Sequence, residues 1–139
     1  MACLARWPGR IPSGLVDDRL TLTFDLTASI MAAAGARSRK DRPLDGIDVL
    51  GDIAAGRPAK PRTLYWRARR ADRTWRAVRD GNLKYVSLQD ADSFSEQLYD
   101  VSKDPGETED LKERNKTSFL RLQRMHKEWE REMLESRVQ

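Results

Sequence analysis

The sequence predicts an α+β fold: a four-stranded antiparallel sheet packed by a C-terminal helix and preceded by a strand and a short helix. Three observations predict it. Four runs rich in aromatic and β-branched residues follow one another closely: TLYWRAR (63–69), TWRAVRD (74–80), LKYVSL (83–88) and EQLYDV (96–101). The gaps between them have no room for crossover helices, so the strands must pair as an antiparallel meander. Behind them, Phe119, Leu122, His126, Trp129 and Met133 recur at spacings of three and four, which puts them on one face of a helix. Ahead of them, Leu26, Ile30, Ala33 and Ala34 recur at helical spacing and Gly35 follows.

Taken in order, ACLARW is a short apolar run stopped by Pro8-Gly9, which reads as a strand entering a turn. Residues 25–34 read as a helix closed by Gly35. RSRKDRPLDG is a polar connection, and GIDVLGDIAAGRP gives one or two helical turns ended by Gly56 and Pro58. Gly81-Asn82 suits a two-residue hairpin turn between the second and third strands. The tail helix presents its apolar face to one side of the sheet.

Length and composition bound the function. A chain of 139 residues is the size of one domain, and with 39% hydrophobic and 35% charged residues it can bury only a modest core. No apolar run is long enough for a membrane span, and MACLARWPGR lacks the layout of a signal peptide. The compartment therefore stays unassigned. One cysteine, Cys3, excludes an internal disulfide, and with a single histidine, His126, a zinc or iron–sulfur site is disfavoured. The net charge of +4 is polarised, basic in the middle and acidic behind: residues 37–80 hold 13 Lys/Arg against 6 Asp/Glu, and residues 89–139 hold 9 against 13.

Several residue groups invite a chemical reading. QLYDVSKDPGETEDL (97–111) packs Asp100, Asp104, Glu107, Glu109 and Asp110 together, yet the alternation of a calcium loop is broken by Val-Ser-Lys and Pro105. Asp104-Pro105-Gly106 instead reads as a turn in which Pro105 fixes φ, Gly106 takes a positive φ and Asp104 accepts backbone N–H groups; Thr108 and the acids after it then suit a helix start. Arg67, Arg69, Arg70, Arg73, Arg76 and Arg79, interleaved with Tyr65, Trp66 and Trp75, resemble a basic single-strand-binding patch. Strand alternation offers the plainer reading, with many of these arginines solvating the outer face of the sheet. His126 reads as a packed or rim histidine, Cys3 as a small buried hydrophobe and Lys84 as a strand lysine extending to solvent.

Four stretches, in order and spacing, resemble the C-terminal part of the sulfatases, the arylsulfatase-type sulfuric ester hydrolases. They are LARWPGRIPSG with TFDLTASIMAAAG, LDGIDVLGDIAAGR, TLYWRARRADRTWRAVRDGNLKYV, and QLYDVSKDPGETEDL with the tail helix carrying Trp129. Ala28, Leu83 and Asp110 depart from the common family residues without threatening the fold. The resemblance implies that residues 1–60 are a remnant of the end of the large N-terminal α/β sulfatase domain with its connecting segment, and that residues 61–139 are the C-terminal subdomain. It implies that formylglycine, calcium and the catalytic residues lie in the part of the enzyme not matched here. Cys3-Leu4-Ala5-Arg6-Trp7 superficially resembles the C-x-P/A-x-R maturation signature, but Trp7 stands in place of the Arg. No catalytic or metal residue is therefore assigned. Lys84 and some of the arginines at 67–79 are placed by the resemblance at the edge of the cleft for a sulfated substrate. The expected role is to complete a sulfatase, the chain alone being inactive; self-association through the exposed N-terminal strand is a further expectation. The alternative is a basic binding module for nucleic acid or sulfated polysaccharide, with nucleic acid disfavoured.

Overall fold

A computed structural model describes residues 3–135 and divides them into two compact units, 3–60 and 61–135. In the first unit, α1 (Thr23–Ala33) and α2 (Val49–Ala54) pack together. Both end in the same way. Ala36 N–H bonds Met31 O while Gly35 N–H bonds Ala32 O, and Arg57 N–H bonds Asp52 O while Gly56 N–H bonds Ile53 O. Each terminus is thus a Schellman cap with glycine at the left-handed position, as the sequence anticipates at Gly35 and Gly56.

The two helices are joined by a buried polar link rather than by a broad apolar seam. Asp25 and Ser29 are both fully buried. The Asp25 carboxylate accepts the Leu22 N–H at 2.7 Å, closing the start of α1, and the Ile47 N–H at 3.1 Å, fixing the segment that enters α2. Ser29 Oγ donates to Asp25 O at 2.7 Å and accepts the Leu50 N–H at 3.2 Å. A Cβ on Gly46 would lie 2.2 Å from Phe24 O, so only glycine allows this segment to run against α1.

The strand expected at ACLARW is corrected. Residues 3–7 form no strand, and Met1 and Ala2 lie outside the described residues. Among the described residues no neighbouring strand supplies a ladder there, and the segment follows the turn chemistry after it: Arg10 and Ile11 both donate N–H groups to Trp7 O. Cys3, expected to be buried, is exposed.

The second unit is the expected meander. β1 (Thr63–Arg70), β2 (Arg73–Asp80), β3 (Leu83–Gln89) and β4 (Phe94–Asp100) lie in the order β1-β2-β3-β4, all antiparallel. Asp80 pairs with Leu83 across the predicted two-residue turn, where Gly81 takes φ 60°. The β1–β2 turn is equally tight, with Arg70 opposite Arg73, but there Ala71 carries the positive φ, 51°.

Helix α3 (Lys116–Glu135) covers one face of this sheet. Register places Tyr65, Val78, Tyr85 and Leu98 in one row across the four strands, and Phe119 and Leu122 of α3 close over it to make the core. Leu98 and Leu122 are fully buried, each contributing about 1.5–3 kcal/mol of transfer free energy. Of the apolar helix face read from the sequence, Phe119, Leu122 and His126 are buried, Trp129 is half-buried and Met133 is exposed. The acids of 107–110 do not start this helix. The first turn of α3 holds no acid; Asn115 precedes it and accepts the Ser118 N–H at 3.3 Å.

Candidate functional site

The acidic run turns the chain. The Asp104 carboxylate accepts the N–H groups of Thr108 at 2.7 Å and Glu109 at 2.8 Å together with the Thr108 hydroxyl at 3.1 Å, and these bonds, the Glu109 N–H first, hold it below the usual carboxylate range. Asp100 accepts the Ser102 hydroxyl and N–H. Asp110 accepts the Leu98 N–H at 3.0 Å, beside a Leu111 N–H to Leu98 O bond of 2.7 Å, and so sews the segment after the turn back onto β4. Asp100, Asp104 and Asp110 are thus each engaged in shaping the backbone, and among the described residues no group of three or more His, Cys, Asp or Glu could hold a metal. The residues present do not fit a calcium site.

One detail of the turn differs from expectation. Glu107 N–H closes the turn onto Asp104 O, and it is Glu107, not Gly106, that adopts the left-handed conformation, with φ 55°. From there its carboxylate meets Lys84 Nζ at 2.5 Å. Lys84, the candidate substrate contact, stands on the sheet face opposite α3, in a row with Leu64, Arg79 and Tyr99, and is partly exposed.

The arginines do not form one patch. Arg67 and Arg76, expected among the solvating residues, lie on the α3 face and share Glu130: Arg67 Nε at 2.6 Å and Arg76 Nε at 3.1 Å. Burial pushes the Glu130 carboxyl up, but these two guanidinium groups outweigh it and hold it below its usual range. Arg73 pairs with Asp90 at 2.6 Å, and Arg79 donates to Gly81 O at 3.0 Å. Tyr65 and Trp66 face opposite sides of the sheet, and Tyr65 is occupied by Trp129. The aromatic–basic interleaving of the sequence is therefore split between two surfaces: Tyr65, Arg67 and Arg76 lie under α3, whereas Trp66, Trp75, Arg70, Arg73 and Arg79 lie on the opposite face.

The polar row beside the core is what sequence inspection missed. Register aligns Arg67, Arg76, Ser87 and Glu96 under α3. Glu96 accepts the Tyr85 hydroxyl at 2.6 Å and the Gln123 amide at 2.7 Å on the same oxygen. Burial, first, and this carboxylate push the Tyr85 phenol well above its usual range. His126 sits over the row, 2% exposed; burial pushes its pKa down, with Glu130 opposing. Period-2 alternation read outward from Tyr65 to Arg67, and likewise in β2 and β4, could have shown these charges on the helix face, since the core row and the polar row share it.

With this geometry in view, the comparisons with known proteins decide the relationship. No family model matches the chain. Residues of the chain are 36% identical over 64 positions to N-acetylgalactosamine-6-sulfatase of Sus scrofa and 34% identical over 64 to that of Homo sapiens, and 40% identical over 45 to arylsulfatase G of Canis lupus familiaris. The chain matches a C-terminal sulfatase portion. The chain spans 12% of the length of these N-acetylgalactosamine-6-sulfatases, and 46% of it is aligned to them. Its fold has solved counterparts: Ps i-CgsB, with a TM-score of 0.71 at 22% identity, and a protein described as a sulfatase from Bacteroides fragilis, with 0.69 at 18%. Each likeness covers 88% of this chain and 27% of the solved chain. Ps i-CgsB has also been solved in complex with k-i-k-neocarrahexaose.

Proposed function

We propose that the chain serves as the C-terminal part of a sulfuric ester hydrolase, completing its fold and edging the cleft that receives a sulfated substrate. The observation that supports this most directly is the 64-residue match at 36% identity to an N-acetylgalactosamine-6-sulfatase. On this reading residues 1–60 belong with the large catalytic domain and residues 61–139 form the subdomain. The accumulated exposure of Leu4, Leu15, Val16 and Ile30 in the first unit supports that assignment, because it is apolar surface that a catalytic domain would cover. The same surface would drive self-association of the chain alone.

Sulfate transfer needs a nucleophile and concentrated positive charge against the developing anionic oxygens. In the complete enzyme formylglycine and calcium would supply these from the catalytic domain. This chain's own contribution would be positioning: Lys84, released from Glu107, would meet the sulfated substrate at the cleft edge. A chimera carrying residues 61–139 in place of the matching segment of a solved sulfatase tests the reading. A soluble chimera that cleaves a sulfate ester is expected, with Lys84→Ala raising KM and leaving kcat nearly unchanged. A chimera that folds but cleaves nothing overturns the proposed role, as does turnover of an aryl sulfate by the 139-residue chain alone.

A further inference from the structure

The face of the sheet turned away from α3 differs from the covered face in its charge. Strand positions on the α3 face carry three cations, Arg67, Arg69 and Arg76, and three carboxylates, Asp80, Glu96 and Asp100. The opposite face carries four cations, Arg70, Arg73, Arg79 and Lys84, and no strand position on it holds an acid. Loops compensate only part of this charge. Asp90 pairs with Arg73 and Glu107 with Lys84, whereas among the described residues no carboxylate pairs with Arg70 or with Arg79, the Arg79 Nε donating instead to Gly81 O. A surface that keeps one sign of charge in this way favours a polyanion.

Two tryptophans stand among these cations. Trp66 of β1 lies opposite Ala77, and Trp75 is two positions away from Ala77 on β2, so the two are diagonal neighbours about 7–8 Å apart. The helix of the second unit lies on the other side of the sheet, and Trp75 is 38% exposed. Open indole rings on a sheet offer their π-faces to the C–H faces of a sugar ring. The cations bracket the aromatics: Lys84 is opposite Arg79 at one end and Arg70 opposite Arg73 at the other. Arg79 and Arg73 are six positions apart on β2, which the rise of a strand makes roughly 20 Å. A monosaccharide is too short to reach both ends. A linear chain of several sugars bearing anionic groups spans them.

We propose that this face binds a linear sulfated polysaccharide laid along the strands, with Trp66 and Trp75 packed against its sugar rings and Arg70 and Arg79, joined by Arg73 and Lys84, meeting its sulfate groups. Planar guanidinium groups present paired N–H donors that suit such oxyanions. The choice of sulfate over other anions rests on the sulfatase reading, and it extends that reading from a single contact at Lys84 to a polymeric substrate held well beyond the ester to be cleaved.

Calorimetric titration of the full chain with octasaccharides of chondroitin 6-sulfate and of hyaluronan, which lacks sulfate, with the chondroitin 6-sulfate disaccharide, and with a thymidine oligonucleotide of equal charge tests it. Saturable binding of the sulfated octasaccharide is expected, with the other three weaker by about tenfold or more. Arg70→Ala and Trp75→Ala, both at exposed positions, should each weaken that binding about three- to tenfold. Arg69→Ala removes the same charge from the α3 face and should change it by less than about twofold. No binding of the sulfated octasaccharide overturns the proposal, as does equal affinity for hyaluronan, the disaccharide or the oligonucleotide. A loss in Arg69→Ala equal to that in Arg70→Ala overturns it as well. Ester cleavage by the chimera reports separately: an inactive chimera with binding intact removes the sulfatase reading and leaves the binding face, whereas an active chimera without binding does the reverse.

Discussion

Trp129 of α3 lies flat on Tyr65 of β1, with 5.1 Å between ring centroids and 9° between their planes, while its edge meets His126 at 5.5 Å. The stack sits where the helix crosses the first strand, beyond the close-packed row of Val78, Tyr85 and Leu98. Removing the indole should therefore loosen the far half of the helix without emptying the core. Trp129→Ala is expected to destabilise the chain by about 2–3 kcal/mol, somewhat less than for a fully buried aromatic, whereas Trp129→Phe should keep most of the stack. Urea denaturation monitored by far-UV circular dichroism checks both; equal stability of Trp129→Ala and the parent would refute the anchoring role.

The β1–β2 turn carries a residue in a conformation that does not suit it. Ala71 at φ 51° bears the Cβ penalty of the left-handed region, about 1–2 kcal/mol, part of which glycine's greater freedom in the unfolded chain would offset. Ala71→Gly is expected to stabilise the chain by about 0.5–1 kcal/mol, and Gly81→Ala at the neighbouring turn, φ 60°, to destabilise it by about 1 kcal/mol. Thermal melts of the two variants should move in opposite directions.

Gly46 governs the first unit. Its Cβ-free face touches the Phe24 carbonyl, a backbone atom that cannot swing aside as a side chain would. Gly46→Ala should cost about 1–3 kcal/mol and break the Asp25 to Ile47 bond. Faster exchange of the Ile47 amide in the variant is the direct readout.

His126 gives the stability a pH dependence of definite sign. Burial lowers its folded pKa, so the unfolded chain binds the proton more readily. Its contribution is fully present above the unfolded value of about 6.5 and declines as pH falls from there toward the lower folded value. Glu130, Arg76 and Arg67 are the charges facing it, and all keep their charge through that window. Stability measured from pH 7 down to pH 5.5 should fall more steeply for the parent than for His126→Gln.

How much of this was legible in the sequence depends on what each element relies on. The strands, the Gly81 turn and both helix C-caps follow from local residue chemistry, and short-range patterns carry that. The N-terminal strand failed because a strand is defined by its neighbour, and no described strand pairs with residues 3–7. The turn reading erred by one residue: Lys84 lies 23 positions before Glu107, and such a long-range ion pair at the left-handed position has no local signature. The polar row under α3 was hidden for a similar reason. Ser87, Glu96, Gln123 and His126 come from three elements and become neighbours only through strand register and helix placement, whereas the turn role of Asp104 needed only the next five residues.

The meander has a consequence for how the second unit is made. Every strand pairs with the one synthesised just before it, so the sheet can assemble progressively from local hairpins, the kind of topology that folds quickly. Its apolar row cannot be covered so early, because α3 begins at Lys116, well after β4 ends at Asp100. During synthesis there is therefore an interval in which Tyr65, Val78, Tyr85 and Leu98 are aligned but bare. In that interval the nascent chain presents its greatest attraction for chaperones, and pausing of translation between Asp100 and the end of the helix would prolong it.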